Sequence, residues 1–434
     1  MWMIYNILFV FVYILLLPHF FVRMRRRGGY RQHFGERFGR YDATKEVALL
    51  ESGRIWVHAV SVGEAQLALA LIQVLREEDP SLRFVVSTTT STGYSLIATR
   101  KQDVDVLIYY PLDFPWIVNR VLAKIRPRAL LLLECELWPN LLRGMSQRGI
   151  PVWVINGRIS ERSFRGYRKI AFLFRRTACL VKGFLVQTDG DAERLRLLGA
   201  ENVCVLGSAK FDVPLPGPME RERALAVIEQ AGMNPAGMFW VMGSTWPGEE
   251  EELVRVFQVL RERYCHLQAI LVPRHAERGD AIAAALDRIG IAYVRRSKLS
   301  GTAPPGERPV LLLADSTGEL TGYYMLADFV FVGKSLAGNH GGQNPVEAAA
   351  LGKAVVVGEN MENFGGVMAD LVSADAIGVV RDFAELVVFA ERCASDAGFR
   401  TALGQRAREV VASRRGVMRK SAHLVMQHLR EAKR

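Results

Sequence analysis

The sequence predicts an α/β protein of two domains, each built on a doubly wound parallel sheet, with an apolar helix ahead of them. Three observations predict it. Short apolar runs alternate with amphipathic stretches along most of the 434 residues, the pattern of repeated strand–helix units. The alternation stops once, at 213–220 (VPLPGPME), where three prolines and a glycine cannot continue a helix or a central strand, and then resumes. A chain this long also exceeds one ordinary hydrophobic core.

The elements follow in order. Residues 1–22 (MWMIYNILFVFVYILLLPHFFV) carry no formal charge. About 20 helical residues at roughly 1.5 Å each would cross a hydrocarbon core, so a membrane anchor helix is expected. Pro18 and His19 weaken its last turn and leave a shallow interfacial helix as the alternative. Residues 23–50 form a basic juxtamembrane segment, with seven arginines and one glutamate between Arg23 and Arg40. A secretory signal carries its charge before the apolar run. Positive charge after the run predicts that the rest of the chain is cytoplasmic. The first domain, 51–212, has strands expected at 55–60, 83–87, 105–109, 129–133, 152–155 and 183–187, with helices such as 114–123 and 191–198 between them. Residues 213–220 are the linker. The second domain, 221–390, has strands expected at 239–242, 268–272, 292–295, 309–313, 329–332 and 354–357, with helices at 249–260 and 345–351. Residues 391–434 complete the chain as basic helices. Two such domains are expected to enclose a ligand cleft.

Composition removes several function classes. Five widely separated cysteines, with no C-x-x-C pair, argue against a zinc site or a disulfide framework. No G-x-G-x-x-G follows the first strand, and no G-x-x-x-x-G-K-[ST] or H-E-x-x-H occurs, which disfavours dinucleotide, P-loop and zinc-protease chemistry. Asp103 and Asp105 mimic a D-x-D metal motif, but Asp105 starts a strand. No metal and no cofactor are expected. The net charge of +11 suits a nucleic acid, an anionic membrane or a phosphorylated substrate. Arginines clustered beside an apolar helix favour the membrane over nucleic acid.

Carboxylates mark the strand ends of the first domain. Glu64 follows the first strand in SVGEA, flanked by Ser61 and Gly63. Glu134 and Glu136 follow the fourth, in LLLLECELWPN. Ligands of doubly wound sheets bind beyond the carboxyl ends of strands, so all three are expected to face one site. Glu64 is open to two accounts, a carboxylate complementing the positive end of a helix or a group that carries chemistry. One of Glu134 and Glu136 is expected to be structural. The second domain carries donor-site candidates: Ser244 and Thr245 at a strand end, Lys210 in GSAKFD, Pro273 and Arg274 in PRH, Thr317, Gly318 and Glu319 in STGEL, and the loop GNHGGQNPVE with Asn344, Pro345, Val346 and Glu347. Lys210, Arg274 and a helix start at Pro345 would together suit a phosphate, and Glu347 would suit ribose hydroxyls.

The ordered strings HAVSVGE, LLLECELWPN, NGRISERS, GSAKFD, PRHAER, TGEL and GGQNPVEAAA resemble the Kdo transferases (3-deoxy-D-manno-octulosonic acid transferases) of lipopolysaccharide synthesis, along nearly the whole chain. The resemblance implies a GT-B glycosyltransferase at the cytoplasmic face of the inner membrane. Such an enzyme moves Kdo from CMP-Kdo to a lipid A precursor with inversion and without a metal. It implies Glu64 as the base, Glu134 and Lys210 as groups that stabilise the transition state, and Pro273–Arg274, Thr317–Glu319 and Asn344–Glu347 as CMP-binding segments. Trp246 and Gln343 depart from the family pattern. An ordinary glutamate is ionised at pH 7, so Glu64 is expected to need no tuning. The rivals are a UDP-sugar transferase acting on a lipid acceptor, and a membrane-anchored sugar-phosphate binding protein without catalysis.

Overall fold

The computed structural model describes residues 2–27, 33–100, 104–299 and 308–431, with side chains from residue 18 to 27 left out. The chain forms two compact units, Met1–Ala209 with Gly416–Arg434, and Lys210–Arg415. Each holds one seven-stranded sheet in which every pairing is parallel. This is the two-domain α/β class that the alternation predicts.

In the first unit the strands are β1 (Ile55–Ala59), β2 (Phe84–Thr88), β3 (Val106–Tyr109), β4 (Ala129–Leu133), β5 (Val152–Gly157), β6 (Gly183–Val186) and β7 (Val203–Val205), in the spatial order β3-β2-β1-β4-β5-β6-β7. The order reverses between β1 and β4. Every residue of β4 is buried. Leu130 and Leu132 enter one core cluster, and Ala129, Leu131 and Leu133 the other. A parallel strand covered on both faces therefore reads as a continuous apolar run. One face is covered by the helix Val62–Glu78 and by Val417–Glu431 from the far end of the chain, whose Val425 and Met426 join that core. Thus the basic tail expected at 391–434 divides: Ala397–Arg414 stays in the second unit, and Val417–Glu431 belongs to the first.

The second unit contains β8 (Met238–Thr245), β9 (Leu267–Pro273), β10 (Tyr293–Arg295), β11 (Leu311–Leu313), β12 (Phe329–Val332), β13 (Ala354–Gly358) and β14 (Gly378–Val380), ordered β10-β11-β9-β8-β12-β13-β14. Its reversal lies between β8 and β12. The three-residue strands β7 and β14 were not expected from the sequence. Both are sheet edges, too short for an apolar period to register. The Pro-rich segment 213–220 is only partly a linker, because the helix Pro218–Gln230 begins inside it. Proline at a first helical position costs no hydrogen bond.

Two expectations for the N-terminus change. Residues Trp2–Arg27 form one helix, but among the described residues no helix is long and apolar enough to cross a membrane, so the spanning anchor finds no support in the fold. One face of that helix packs on the first unit through Phe9, Val10 and Tyr13. The basic segment 23–50 is not a mere tether either. Arg37 donates to the Thr89 carbonyl at 2.7 Å and stacks on Tyr109, and buried Glu36 accepts from the Tyr109 N–H at 2.9 Å. The side chains of Arg23, Arg25, Arg26, Arg27 and Arg31 lie outside the described residues, as does Asp103.

Candidate active site

The order reversal of the first unit is where its carboxylates meet. Ser61 caps the helix that follows β1, accepting weakly from the Glu64 N–H at 3.4 Å. The Glu64 carboxylate accepts from the Ser61 hydroxyl at 2.8 Å and from the Val60 N–H at 2.7 Å. This is close to a capping box, so Glu64 does serve the helix start. Gly63 lies exposed in the same turn. Beyond β4 the chain turns sharply: Glu134 has φ 57°, a left-handed conformation uncommon for a side chain with a Cβ, and its N–H donates to the Ile155 carbonyl of β5 at 3.0 Å. Glu136 accepts from the Trp138 indole at 3.0 Å. Glu64, Glu134 and Glu136 together line a pocket of about 160 Å³, with Val60, Cys135, Arg158, Ile159, Ser163 and Tyr167.

Electrostatics differ from the sequence expectation. Glu64 is only 8% exposed. Burial pushes its carboxyl up to about 7; the Val60 N–H and Ser61 hydroxyl oppose the rise, while the charges of Glu134 and Glu136 add to it. An ordinary glutamate that stays ionised without tuning is therefore corrected to one that titrates near neutrality. Burial likewise raises Glu136, against the hydrogen bond from Trp138. It also raises the Cys135 thiol to about 12, which removes a thiolate nucleophile from the pocket. Arg158, Ser163 and Tyr167 were not singled out from the sequence. They come from the segment after β5, and only the β4–β5 pairing brings them beside Glu134. An arginine directly after an apolar strand was the signal available.

In the second unit the donor-site candidates gather at the carboxyl ends of adjacent strands. Ser244 (φ 55°) and fully buried Thr245 end β8 at a register shift against β9. The Arg274 N–H, just past Pro273, donates to the Thr245 carbonyl at 3.0 Å. Glycines 341 and 342 take φ 100° and 67°, which L side chains rarely adopt, and carry the loop after β12. The helix after that loop is only Val346–Ala350, shorter than expected, and its first N–H donates to the Asn344 side chain at 3.1 Å. Pro345 precedes this helix as its N-cap rather than lying inside it. Glu347, raised by burial, accepts from the Asn344 amide at 3.3 Å and feels the charge of Arg274. Lys210 donates to the Asn363 carbonyl and lies over the Phe364 ring at 4.4 Å; the Asn363 N–H donates to Gly341 at 3.1 Å. Lys210 is thus brought beside the glycine loop. After β11, Thr317 and Gly318 (φ 87°) lead to Glu319. The Glu319 carboxylate is held by Arg296 at 2.9 Å, Tyr323 at 3.1 Å and Ser316, which keep it below its usual range although burial alone would raise it.

Two residues here escaped sequence reading. Lys334, with φ 63°, follows β12 at the order reversal, its ammonium 4.6 Å from the centre of the Trp246 ring. Trp246, a departure from the family pattern, thereby gains a supporting role. Glu249, fully buried, accepts from the N–H groups of Trp246, Lys334, Ser335 and Leu336 at 2.8–3.0 Å and ties the β8 and β12 loops together. Among the described residues one group, His33, Glu36 and Asp42, has metal-ligand spacing, but the Glu36 carboxylate is engaged by Lys45 and Tyr109. Asp105 of the D-x-D mimic accepts from the Phe84 N–H at 2.6 Å, a structural role.

Comparison with known proteins follows the same lines. Residues 32–213 match the family model described as 3-deoxy-D-manno-octulosonic-acid transferase (kdotransferase). The chain is 34% identical to a 3-deoxy-D-manno-octulosonic acid transferase of Bordetella pertussis and 30% identical to one of Haemophilus influenzae, covering 92% of each chain in both cases. Among solved structures, Anabaena HepE in complex with UDP is 15% identical with a TM-score of 0.53, the match covering 87% of this chain and 100% of that chain, a likeness of fold alone.

Proposed function

Since the chain belongs to the 3-deoxy-D-manno-octulosonic acid transferase family of glycosyltransferases, we propose that it moves Kdo from CMP-Kdo to a hydroxyl of a lipid A precursor, at the cytoplasmic face of the inner membrane. The observation that carries the site assignment is the pocket where Glu64, titrating near 7, faces Glu134 and Glu136 at the order reversal of the first sheet. A general base is most effective with a pKa near the working pH.

In this mechanism the acceptor hydroxyl oxygen forms a bond to the anomeric carbon of Kdo, and its proton passes to Glu64. The bond from that carbon to the CMP phosphate oxygen breaks with inversion, and CMP leaves as the anion. Lys210 and Lys334 beside the glycine loop, with Arg274 at the end of β9, supply positive charge for the leaving phosphate, in place of a metal ion. Ser244, Thr245, Thr317 and the Asn344–Glu347 segment hold the nucleotide. Glu134 stabilises the transition state, and Arg158 offers a cation to an anionic group of either substrate. Base catalysis of this kind is worth roughly 10²- to 10⁴-fold.

The test is transfer by the purified full-length protein from CMP-Kdo to a lipid A precursor, with chelator present, read by mass spectrometry of the product. A Kdo adduct is expected. CMP-Kdo that is bound but never consumed, or transfer to the acceptor from a UDP-sugar alone, would overturn the proposal.

A further inference from the structure

The N-terminal helix is built inside out. Through residue 13, the half-covered positions are Trp2, Tyr5, Asn6, Phe9, Val10 and Tyr13, a spacing of one helical face. Trp2, Tyr5, Asn6 and Tyr13 are also the residues of 2–17 that carry a hydrogen-bonding side chain. They face the body of the first unit. The Tyr5 hydroxyl donates to buried Asp113 at 2.8 Å, and the Asn140 amide donates to Asn6 at 2.7 Å. Phe9 and Tyr13 meet Phe114 edge-on at 5.0 and 5.4 Å, and Arg143 lies over the Trp2 ring. The outward face is wholly apolar: Met3, Ile4, Leu8, Phe11 and Leu15 are 53–78% exposed. A helix facing water carries the opposite pattern.

Geometry then limits how the helix meets a bilayer. Residues 2–13 are clamped to the folded unit, so the start of the helix lies on the same side as that unit. Residues 14–22, apolar except for His19, are the part left to enter a membrane, about 14 Å of helix at roughly 1.5 Å per residue, against a hydrocarbon core of roughly 30 Å. Crossing would require breaking the Tyr5–Asp113 and Asn6–Asn140 bonds and leaving Asp113 short of a donor.

Charge identifies the partner. Phe164, Tyr167 and Phe174 join the same core cluster as Phe9 and Tyr13, so the helices Glu161–Lys169 and Ala171–Ala178 cover the same sheet face. They present exposed Arg168, Lys169, Arg175 and Arg176, together with Phe172, which is 62% exposed. Trp116, 59% exposed, stacks on Phe114 at 4.8 Å, a residue type favoured at the membrane–water boundary. An apolar helix face and a set of cations over the same sheet face match an anionic bilayer surface.

We infer that Trp2–Arg27 is an in-plane helix: its polar face is bonded to the first unit, and its apolar face lies in the interfacial layer of an anionic membrane, without crossing it. This deepens the membrane placement proposed above and rests on it for the lipid, but not on the transfer chemistry.

Two measurements on the full chain test it. The first is binding to phosphatidylcholine vesicles with and without phosphatidylglycerol. Binding is expected to need the anionic lipid and to weaken with salt. Leu8→Asp with Phe11→Asp is expected to weaken it at least about tenfold, with unchanged thermal unfolding because both side chains are exposed. The second places a protease-cleavable peptide before Met1, in inverted and right-side-out membrane vesicles. Cleavage in inverted vesicles, where the folded units are also accessible, is expected. Cleavage only in right-side-out vesicles would overturn the in-plane helix while leaving the membrane placement intact. No binding to anionic vesicles would overturn both. Self-association abolished by the double variant, with vesicle binding unchanged, would assign the face to a second copy of the chain and overturn the inference.

Discussion

Glu64→Gln is the most informative substitution. Glutamine keeps the shape, with an oxygen for the Val60 N–H and an amide for the Ser61 hydroxyl, but it takes no proton at neutral pH. Transfer is expected to fall roughly 10²- to 10⁴-fold, with CMP affinity unchanged because the nucleotide candidates belong to the other unit. In the wild type, the rate should rise with pH through about 7, so that roughly a tenth of the limiting rate remains one unit below. Stability moves the other way. The folded state holds this proton from the ordinary 4.5 up to about 7, so the stability it contributes is full below 4.5 and is lost as pH rises through 7. The amplitude is about 3 kcal/mol, which the variant should lack. Single-turnover transfer from CMP-Kdo and thermal unfolding, each from pH 4.5 to 9, measure both. Near wild-type transfer by Glu64→Gln, or a wild-type rate flat across pH 7, would refute the base assignment.

Other substitutions separate the remaining roles. Lys210→Ala should lower kcat at saturating donor, measured by steady-state kinetics; an effect confined to the lipid acceptor's KM would argue against leaving-group stabilisation. Lys334→Ala should weaken CMP binding roughly tenfold or more in calorimetry, as expected for one charge-assisted contact, while Trp246→Phe, which keeps an aromatic face, should cost less. Glu249→Ala leaves four N–H groups, two of them fully buried, without their acceptor, so thermal unfolding should show a loss of about 3–5 kcal/mol; unchanged stability would contradict the tie between the β8 and β12 loops.

The alternation of apolar strands with amphipathic helices was written plainly enough to place the long central strands, because strands buried on both faces must be apolar throughout. Glu64 was also legible: a carboxylate in a small-residue turn between strand and helix stands at a strand's carboxyl end wherever the sheet lies. The family strings carried Lys210, Arg274 and the glycine loop in the same way. What those residues face was not legible. Glu134 takes a left-handed conformation that no local propensity announces, and Glu249 reads as one of several glutamates at a helix start until four N–H groups converge on it.

Local sequence therefore determined the fold class, the strand ends and the chemical types standing there, since period and turn chemistry act over a few residues. Strand order, which depends on pairings far apart in the chain, decided the rest. Only the β1–β4 neighbourhood brings three carboxylates into one pocket and raises Glu64 to near neutrality. Only the β8–β12 neighbourhood sets Lys334 on Trp246. And an uncharged N-terminal run reads alike whether it crosses a bilayer or lies along one. What its inner face binds was decided by Asp113 and Asn140, more than a hundred residues away, which bond Tyr5 and Asn6.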